Sequence, residues 1–415
     1  GAVNRRYAYD KAGNLIQSAD QRSGVLHYVY DKIGRIQEAR NSQSGRSEIF
    51  AFDPAHNILS DKAAEGKDNN LVSGNRLKEY NGIEYTYDAL GNLIYRQLPN
   101  GENQYYQYDL ENQLVRAEIK KPAGNTEIWT YAYDPFGRRL SKERQDKLAW
   151  TSTEPKRTHF VWDGSRLLQE YTYKGSYTYI YTDQDSYEPL AQIFDNAKDG
   201  KQYLAYFHND QIGIPREMTD IHGNLLWYGE YTAWGRLKKD ERIYKSAHQP
   251  FRLQNQYFDE ETGLHYNLMR YYEPEAGRFV NQDPIKLIGG DNLYQFALNT
   301  QAWVDPLGLD ELYALIARKD GWYPVMEWGK KNPVGHMYLK KGELWKIGTS
   351  KNASKRYSQR YLDSIGSTAK NQLGVDMKII HSNISLKSTR FWERLRIVGY
   401  EKWKGFLPPG NKCRH

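Results

Sequence analysis

The C-terminal part of the chain contains the residue types that hydrolysis of a phosphodiester requires. That reaction needs a deprotonated water, neutralisation of the charge that grows on the phosphate, and stabilisation of the leaving oxygen. A glutamate could hold Mg²⁺ or another divalent cation, lysine and arginine could bind the phosphate, and tyrosine or asparagine could orient a water. Residues of these types, with one glycine, lie at Tyr338, Lys346, Gly348, Arg356, Glu393 and Asn411.

Further cations lie close to Arg356 in the sequence. Arg360 follows four residues later on the same face of a predicted helix, so it could extend a phosphate contact along a nucleic-acid backbone. Lys351 and Lys355 are the other two candidates for nucleic-acid binding. Tyrosine ionises at about pH 10, so Tyr338 can act as a base only where a metal ion or nearby cations favour its phenolate.

The elements that must position these side chains form a predicted small α/β domain after residue 309. Strands are predicted near Gly335 to Lys340, at Glu343 to Gly348 and near Val375 to His381. One helix is predicted from Ala353 to Ile365 with Asn352 as its cap, and a second from Thr389 to Trp403.

The preceding residues are repetitive and rich in tyrosine. A Tyr-x-Tyr-Asp phrase, in most copies followed by a glycine turn, starts at Tyr7, Tyr28, Tyr85 and Tyr131, with a degenerate copy at Tyr106. Alternating tyrosines favour a strand, while aspartate and glycine favour a turn before the next strand. Because one hairpin cannot bury its apolar face, the copies are expected to stack into an extended sheet in which the tyrosines have structural roles.

Charge separates the two regions. The 415 residues carry a net charge of +7, but residues 310–415 contain 21 Lys and Arg against 9 Asp and Glu, a net of +12. The first 309 residues carry −5, so a polyanionic partner is expected for the second region and a solubilising surface is the alternative. Cys413 is the single cysteine, which excludes an internal disulfide, and no long apolar run predicts a membrane span. The N-terminus enters directly into a repeat, as expected of an excised fragment.

The repeats resemble those of Rhs proteins, and three later segments resemble the Rhs core. These segments are residues 206–219, 252–266 and 270–279. The resemblance implies a mainly β repeat shell, a β-cocoon, over residues 1–309 that encloses a toxin domain at 310–415. It also implies delivery or secretion components upstream and a cognate immunity protein.

Two Asp-Pro pairs mark the end of the repeat region, at Asp283-Pro284 and Asp305-Pro306, with eighteen residues between their four-residue motifs. The Rhs resemblance implies self-cleavage between Leu309 and Asp310 by Asp283 and Asp305, because two close carboxyls can divide the acid and base roles. Lys286 replaces the glycine of the first motif, and Asp291 is the reserve candidate. The alternative is that both pairs only form turns.

The basic region resembles the GIY-YIG nucleases. Gly335-His-Met-Tyr338 and Lys346-Ile-Gly348 stand for the two motifs, and Arg356 follows Gly348 at the family's interval of eight. The resemblance matches Glu393 to the family's metal-binding glutamate and Asn411 to its terminal asparagine. Lys346 stands where many members have tyrosine.

Together these patterns predict an antibacterial Rhs effector whose C-terminal domain is a DNA endonuclease. The effector is expected to be secreted or delivered, by type VI secretion, and to act in the cytoplasm of the target cell. One alternative is a ribonuclease or another toxin that acts on nucleic acids. The other is a surface protein that binds polyanions without catalysis.

Overall fold

The computed structural model describes residues 3–60, 72–146, 151–184, 186–244, 247–283, 292–302, 313–327, 330, 332–348, 358–367, 373–379 and 407–411. These residues form two compact units, one before residue 303 and one from residue 313 onward. The boundary predicted at Leu309 lies outside the described residues and stays a prediction.

The first unit consists of antiparallel sheets, and within each sheet every strand pairs with the next strand along the chain. A five-stranded sheet comes first, formed by β1 (Arg5–Tyr9), β2 (Leu15–Asp20), β3 (Gly24–Tyr30), β4 (Ile36–Asn41) and β5 (Ser47–Ile49). Two short hairpins follow, β6 (Ala51–Phe52) with β7 (Ile58–Leu59), and β8 (Val72–Ser73) with β9 (Arg76–Leu77).

A fifteen-stranded sheet makes up most of this unit. Its strands are β10 (Glu79–Tyr80), β11 (Ile83–Tyr87), β12 (Leu93–Gln97), β13 (Asn103–Tyr108), β14 (Leu114–Lys120), β15 (Thr126–Tyr133), β16 (Arg139–Arg144), β17 (Arg157–Asp163), β18 (Arg166–Thr172), β19 (Gly175–Tyr181), β20 (Pro189–Asn196), β21 (Gln202–Asn209), β22 (Pro215–Asp220), β23 (Leu225–Tyr231) and β24 (Leu237–Arg242). A four-stranded sheet follows, formed by β25 (Tyr257–Phe258), β26 (His265–Asn267), β27 (Arg270–Glu273) and β28 (Arg278–Phe279).

The repeats fold as strand, turn and strand because their turns are satisfied locally. In the first copy, Oδ1 of Asp10 accepts hydrogen bonds from the backbone N–H groups of Ala12 and Asn14, each at 2.8 Å. Gly13 has a φ of 83°, a conformation that other L-residues rarely adopt. The predicted hairpin unit is therefore confirmed, and the first unit is a β-rich structure.

The second tyrosine of a repeat has a specific backbone partner. The hydroxyl of Tyr30 donates to the carbonyl of Leu15 at 2.7 Å, and Tyr108, Tyr133 and Tyr181 make equivalent bonds to Leu93, Leu114 and Leu167. The strand register shifts at each of these tyrosines, so each lies at an irregularity of the ladder. These tyrosines have structural roles, as the sequence predicted.

Charged side chains are buried where residues 247–283 pack against the long sheet. The guanidinium of Arg139 makes a bidentate contact with Asp259, at 2.6 and 2.9 Å, and both side chains are fully buried. The ammonium of Lys142 lies 3.0 Å from Asp259 and 2.9 Å from Glu261. Burial alone would raise the pKa of the Asp259 carboxyl, but the charges of Arg139 and Lys142 outweigh burial and lower it.

Replacing Arg139 with methionine is expected to lower the free energy of unfolding by about 3 kcal/mol, because Asp259 loses a buried partner. The matched control is Arg138→Met, next in the chain, whose ion pair with Asp134 is partly exposed and should contribute less than about 1 kcal/mol. Urea denaturation followed by tryptophan fluorescence measures both. The folded-state pKa of Asp259 lies below its unfolded value of about 4. The ionised Asp259 therefore contributes to the free energy of unfolding above about pH 4, and this contribution is lost as the pH falls through the folded-state pKa. Equal destabilisation by the two substitutions would contradict the prediction.

The second unit, as far as it is described, contains five strands and one short helix. A three-stranded antiparallel sheet has β29 (Tyr313–Ala317) between β32 (Leu344–Gly348) and β33 (Val375–Ile379), and β30 (Gly321–Val325) pairs with β31 (Gly335–Leu339). The helix is α1 (Gln359–Ser364). The core of the second unit is formed by the buried side chains of Leu315, Ala317, Tyr323, Leu339, Trp345, Leu362, Ile365 and Val375.

Three strands of this unit match the predicted positions, but the first predicted helix does not run unbroken through Ser358. Ser358 has an extended backbone, with φ −68° and ψ 148°, and its side chain accepts a hydrogen bond from the backbone N–H of Tyr361. Serine is a preferred helix cap, so Ser358 and not Asn352 precedes the described helix. Strands β29 and β30 were not predicted. The second predicted helix lies outside the described residues, and the α/β class of this region stays a prediction.

Candidate functional site

Lys346 lies in β32, on a strand that is fixed by its neighbours. The indole of Trp345 is buried and its Nε1 donates to the carbonyl of Pro324 at 2.9 Å. Because side chains alternate across a strand, Lys346 projects to the face opposite Trp345, where it is partly exposed. Register places Lys346 across from Leu315 and Gly348 across from Tyr313.

The tail residues 408–411 lie beside this strand. The N–H of Gly410 donates to the carbonyl of Trp345 at 2.7 Å, and the N–H of Met326 donates to the carbonyl of Pro409 at 2.7 Å. A side chain at position 410 would place its Cβ 2.7 Å from the Trp345 ring, so glycine allows the close approach. Asn411, which is 2% exposed, is thereby held one residue beyond the contact with the Lys346 strand.

Tyr338 lies in a different sheet from Lys346. Its strand, β31, pairs with β30, and Tyr338 stands directly across from Trp322. The two rings are 5.6 Å apart between centroids, with an interplanar angle of 79°. The structure therefore places Asn411 next to β32, the strand of Lys346, but pairs β31, the strand of Tyr338, with β30.

Two aromatic residues near these positions, one tyrosine and one tryptophan, were not identified from the sequence. Tyr313 lies opposite Gly348, and Trp322 lies opposite Tyr338. The cluster of aromatic and β-branched residues at Trp322, Tyr323 and Val325 is the sequence signal that could have identified β30.

Arg360 is exposed on α1, in the first turn after the Ser358 cap. Gly348 is the last residue of β32. Three candidate cations and the candidate metal ligand lie outside the described residues, namely Lys351, Lys355, Arg356 and Glu393. Among the residues that are described, no group of three or more His, Cys, Asp or Glu could hold a metal ion.

Asp283 has a defined environment at the end of the first unit. It is 7% exposed, and its carboxylate lies 3.3 Å from the guanidinium of Arg270. The backbone N–H of Asp283 donates to the carbonyl of Leu293 at 2.9 Å, and the guanidinium of Arg270 lies 3.6 Å from the centre of the Phe279 ring. The other cleavage candidates lie outside the described residues: Lys286, Asp291, Asp305, Leu309 and Asp310.

No helix in the described part of the chain is both long and apolar enough to cross a membrane.

Two protein-family models match the chain in separate regions. The family described as RHS protein matches residues 204–241, which cover most of β21, all of β22 and β23, and most of β24. The family described as URI fold toxin 2 matches residues 326–405. The chain therefore has an RHS segment followed by a region similar to a toxin domain.

Two curated relatives are named as toxins and a third as a probable deoxyribonuclease. The chain is 38% identical over 330 residues to "Double-stranded DNA deaminase toxin A" of Burkholderia cenocepacia, a match that covers 76% of this chain and 23% of the relative. It is 31% identical to "Toxin protein Tse5" of Pseudomonas aeruginosa, over 74% of this chain and 24% of the relative. It is 30% identical to "Probable deoxyribonuclease RhsB" of Dickeya dadantii, a match that covers 77% of this chain and 22% of the relative. The chain thus spans about a quarter of the length of these relatives.

A solved structure also aligns with most of the chain. It is "Crystal Structure of TcdB2-TccC3-TEV", with 17% identity and a TM-score of 0.37, covering 74% of this chain and 19% of that one.

Proposed function

We propose that residues 310–415 form a metal-dependent, GIY-YIG-like endonuclease that hydrolyses DNA and is the C-terminal toxin of an Rhs effector. The observation that carries this proposal is the match of a URI-fold toxin model to residues 326–405, which include all the nuclease candidates except Asn411. The net charge of +12 on residues 310–415 suits a polyanionic substrate. Two relatives named as probable deoxyribonucleases, RhsA and RhsB of Dickeya dadantii, support DNA as the substrate.

In this proposal the basic side chains bind the scissile phosphate. Lys346 and Arg356 contact the phosphate, and Arg360, Lys351 and Lys355 contact the flanking backbone, where cations fix position without reading sequence. Glu393 holds Mg²⁺ or another divalent cation, which when bound lowers the pKa of a water and neutralises phosphate charge. Asn411 supports the strand of Lys346 through the tail contact at Trp345.

We also propose that the toxin region is released by self-cleavage after Leu309. Asp283 and Asp305 act as the acid and base pair, and the contact between Arg270 and Asp283 orients the Asp283 side chain. A β-cocoon around the toxin, delivery by type VI secretion into the cytoplasm of a rival cell, and a cognate immunity protein belong to the same proposal. They rest on the Rhs resemblance and on relatives such as the toxin Tse5.

The name of one relative raises deamination of DNA as a second candidate activity. Zinc deaminases hold their metal with a histidine and two cysteines, or with three cysteines. Residues 310–415 contain one cysteine, Cys413, so this chain favours hydrolysis over deamination. A ribonuclease and a non-catalytic protein that binds polyanions are the two further candidates.

The test is incubation of the purified chain with supercoiled plasmid and with tRNA, each with Mg²⁺ or with EDTA. Nicking of plasmid that requires Mg²⁺ is the expected result. Cleavage of tRNA alone would replace the proposal with a ribonuclease, while binding without cleavage of either would support a non-catalytic polyanion-binding protein. Conversion of cytosine in intact DNA would support the deaminase.

A further inference from the structure

The hairpin of β30 and β31 has one face in the core and one face with large exposed aromatic rings. On the inner face, Tyr323 is 0% exposed and Leu339 is 3% exposed. The hydroxyl of Tyr323 donates to the carbonyls of Lys319 at 2.8 Å and Gly374 at 3.0 Å. These contacts hold Tyr323 on the inner face of the hairpin. Because side chains alternate along a strand, the neighbouring residues point to the outer face.

The outer face carries Trp322 and Tyr338 as a cross-strand pair. Trp322 is 61% exposed and Tyr338 is 50% exposed, although both residues are of types that usually bury most of their surface. Their rings meet edge to face at 5.6 Å, and Pro324 lies across from His336 as the next pair on the same face. Two neighbouring exposed rings on a hairpin whose inner face is packed offer an aromatic surface to a planar ligand.

The charge around this pair indicates the kind of ligand. Residues 319–346 contain six lysines and three acidic residues. Lys340 and Lys341 follow directly after β31, and Lys319 precedes β30; all three side chains are exposed. An aromatic surface bordered by lysines combines base stacking with attraction to phosphates.

We propose that Trp322 and Tyr338 form a stacking surface for unpaired bases of the nucleic-acid substrate. Bases inside a duplex are already stacked and paired, so they cannot reach these rings, whereas single-stranded, gapped or frayed DNA can. The inference rests on the proposed nuclease function and names its substrate class. It also gives the ring of Tyr338 a role in binding, beside the hydroxyl chemistry expected from the sequence.

Fluorescence anisotropy of the full chain in EDTA tests this, with a labelled twenty-nucleotide oligothymidine as the single strand and a duplex of equal length as comparison. Because stacking on one aromatic side chain contributes about 1–3 kcal/mol per base, Trp322→Ala is expected to weaken binding of the single strand by about 5-fold to 150-fold. Binding of the duplex should change by less than about 2-fold.

Two further variants separate stacking from other roles of the same residues. Tyr338→Phe keeps the ring and should bind the single strand like the parent protein, whereas Tyr338→Ala should bind it more weakly. Tyr361→Ala is the matched control, since Tyr361 is an exposed tyrosine, at 46%, on α1 of the same unit. It should bind both probes like the parent.

Equal affinity of Trp322→Ala and the parent for the single strand would overturn the proposal. Loss of binding in Tyr338→Phe equal to that in Tyr338→Ala would also overturn it. The nuclease proposal fails separately, since it predicts cleavage with Mg²⁺, which this binding assay does not measure.

Discussion

Replacement of Asp283 with asparagine is expected to leave the purified chain as one band at 48.5 kDa in a denaturing gel, whereas the parent should separate into residues 1–309 and 310–415. Asparagine has nearly the same shape but can neither accept a proton as a base nor share one with Asp305. General acid and base groups contribute about 10²-fold to 10⁴-fold to such reactions, so cleavage should fall below detection over hours.

The environment of Asp283 makes this substitution informative. The carboxylate is buried, 3.3 Å from Arg270, and its backbone is held by Leu293. Because the Asp283→Asn substitution removes the negative charge that faces Arg270, the thermal unfolding of the variant must be measured beside the gel. Arg270→Lys retains a cation and should cleave faster than Arg270→Gln if the cation positions Asp283.

Asp291→Asn is the control for the assignment, because Asp291 lies between the two Asp-Pro pairs. It should cleave at the parent rate. Cleavage that persists in Asp283→Asn and stops in Asp291→Asn would assign the role to Asp291. An intact parent protein would instead support the view that both Asp-Pro pairs only form turns.

The second large effect is expected in Glu393→Gln, which should lose Mg²⁺-dependent nicking of plasmid by about 100-fold or more. The amide keeps the size of the side chain but loses the negative charge that holds a hard divalent cation. Higher Mg²⁺ should partly restore activity, which a residue with only a packing role would not allow. Binding of duplex in EDTA should remain at the parent level.

Arg356→Ala should reduce nicking by a similar factor without rescue by Mg²⁺, because its proposed partner is the phosphate. Glu401→Gln, a second glutamate of the same region, is the matched control and should cleave like the parent. Nicking by Glu393→Gln and Arg356→Ala at the parent rate would refute the proposed site while leaving the nuclease function open.

The repeat hairpins were predictable because their turns depend on neighbours in the sequence. Asp10 and Gly13 define the turn of the first copy within five residues, and the same chemistry recurs in later copies. The strands at Gly335–Leu339 and Leu344–Gly348 were found for the same reason, since alternation is a local property. The start of α1 was not found, because Asn352 is also a residue type that favours caps and the sequence pattern was assigned to it, whereas the cap of the described helix is Ser358.

The sequence by itself determined the two regions, their opposite charges, the hairpin repeats and the residue types suited to phosphate chemistry. The tertiary structure decided which of these meet: it paired the strand of Tyr338 with that of Trp322, brought the Asn411 tail to Trp345, and set Arg270 beside Asp283. Local sequence fixes backbone torsions and turns through contacts between near neighbours. Partners far apart in the chain are selected by packing and burial, which depend on the fold as a whole.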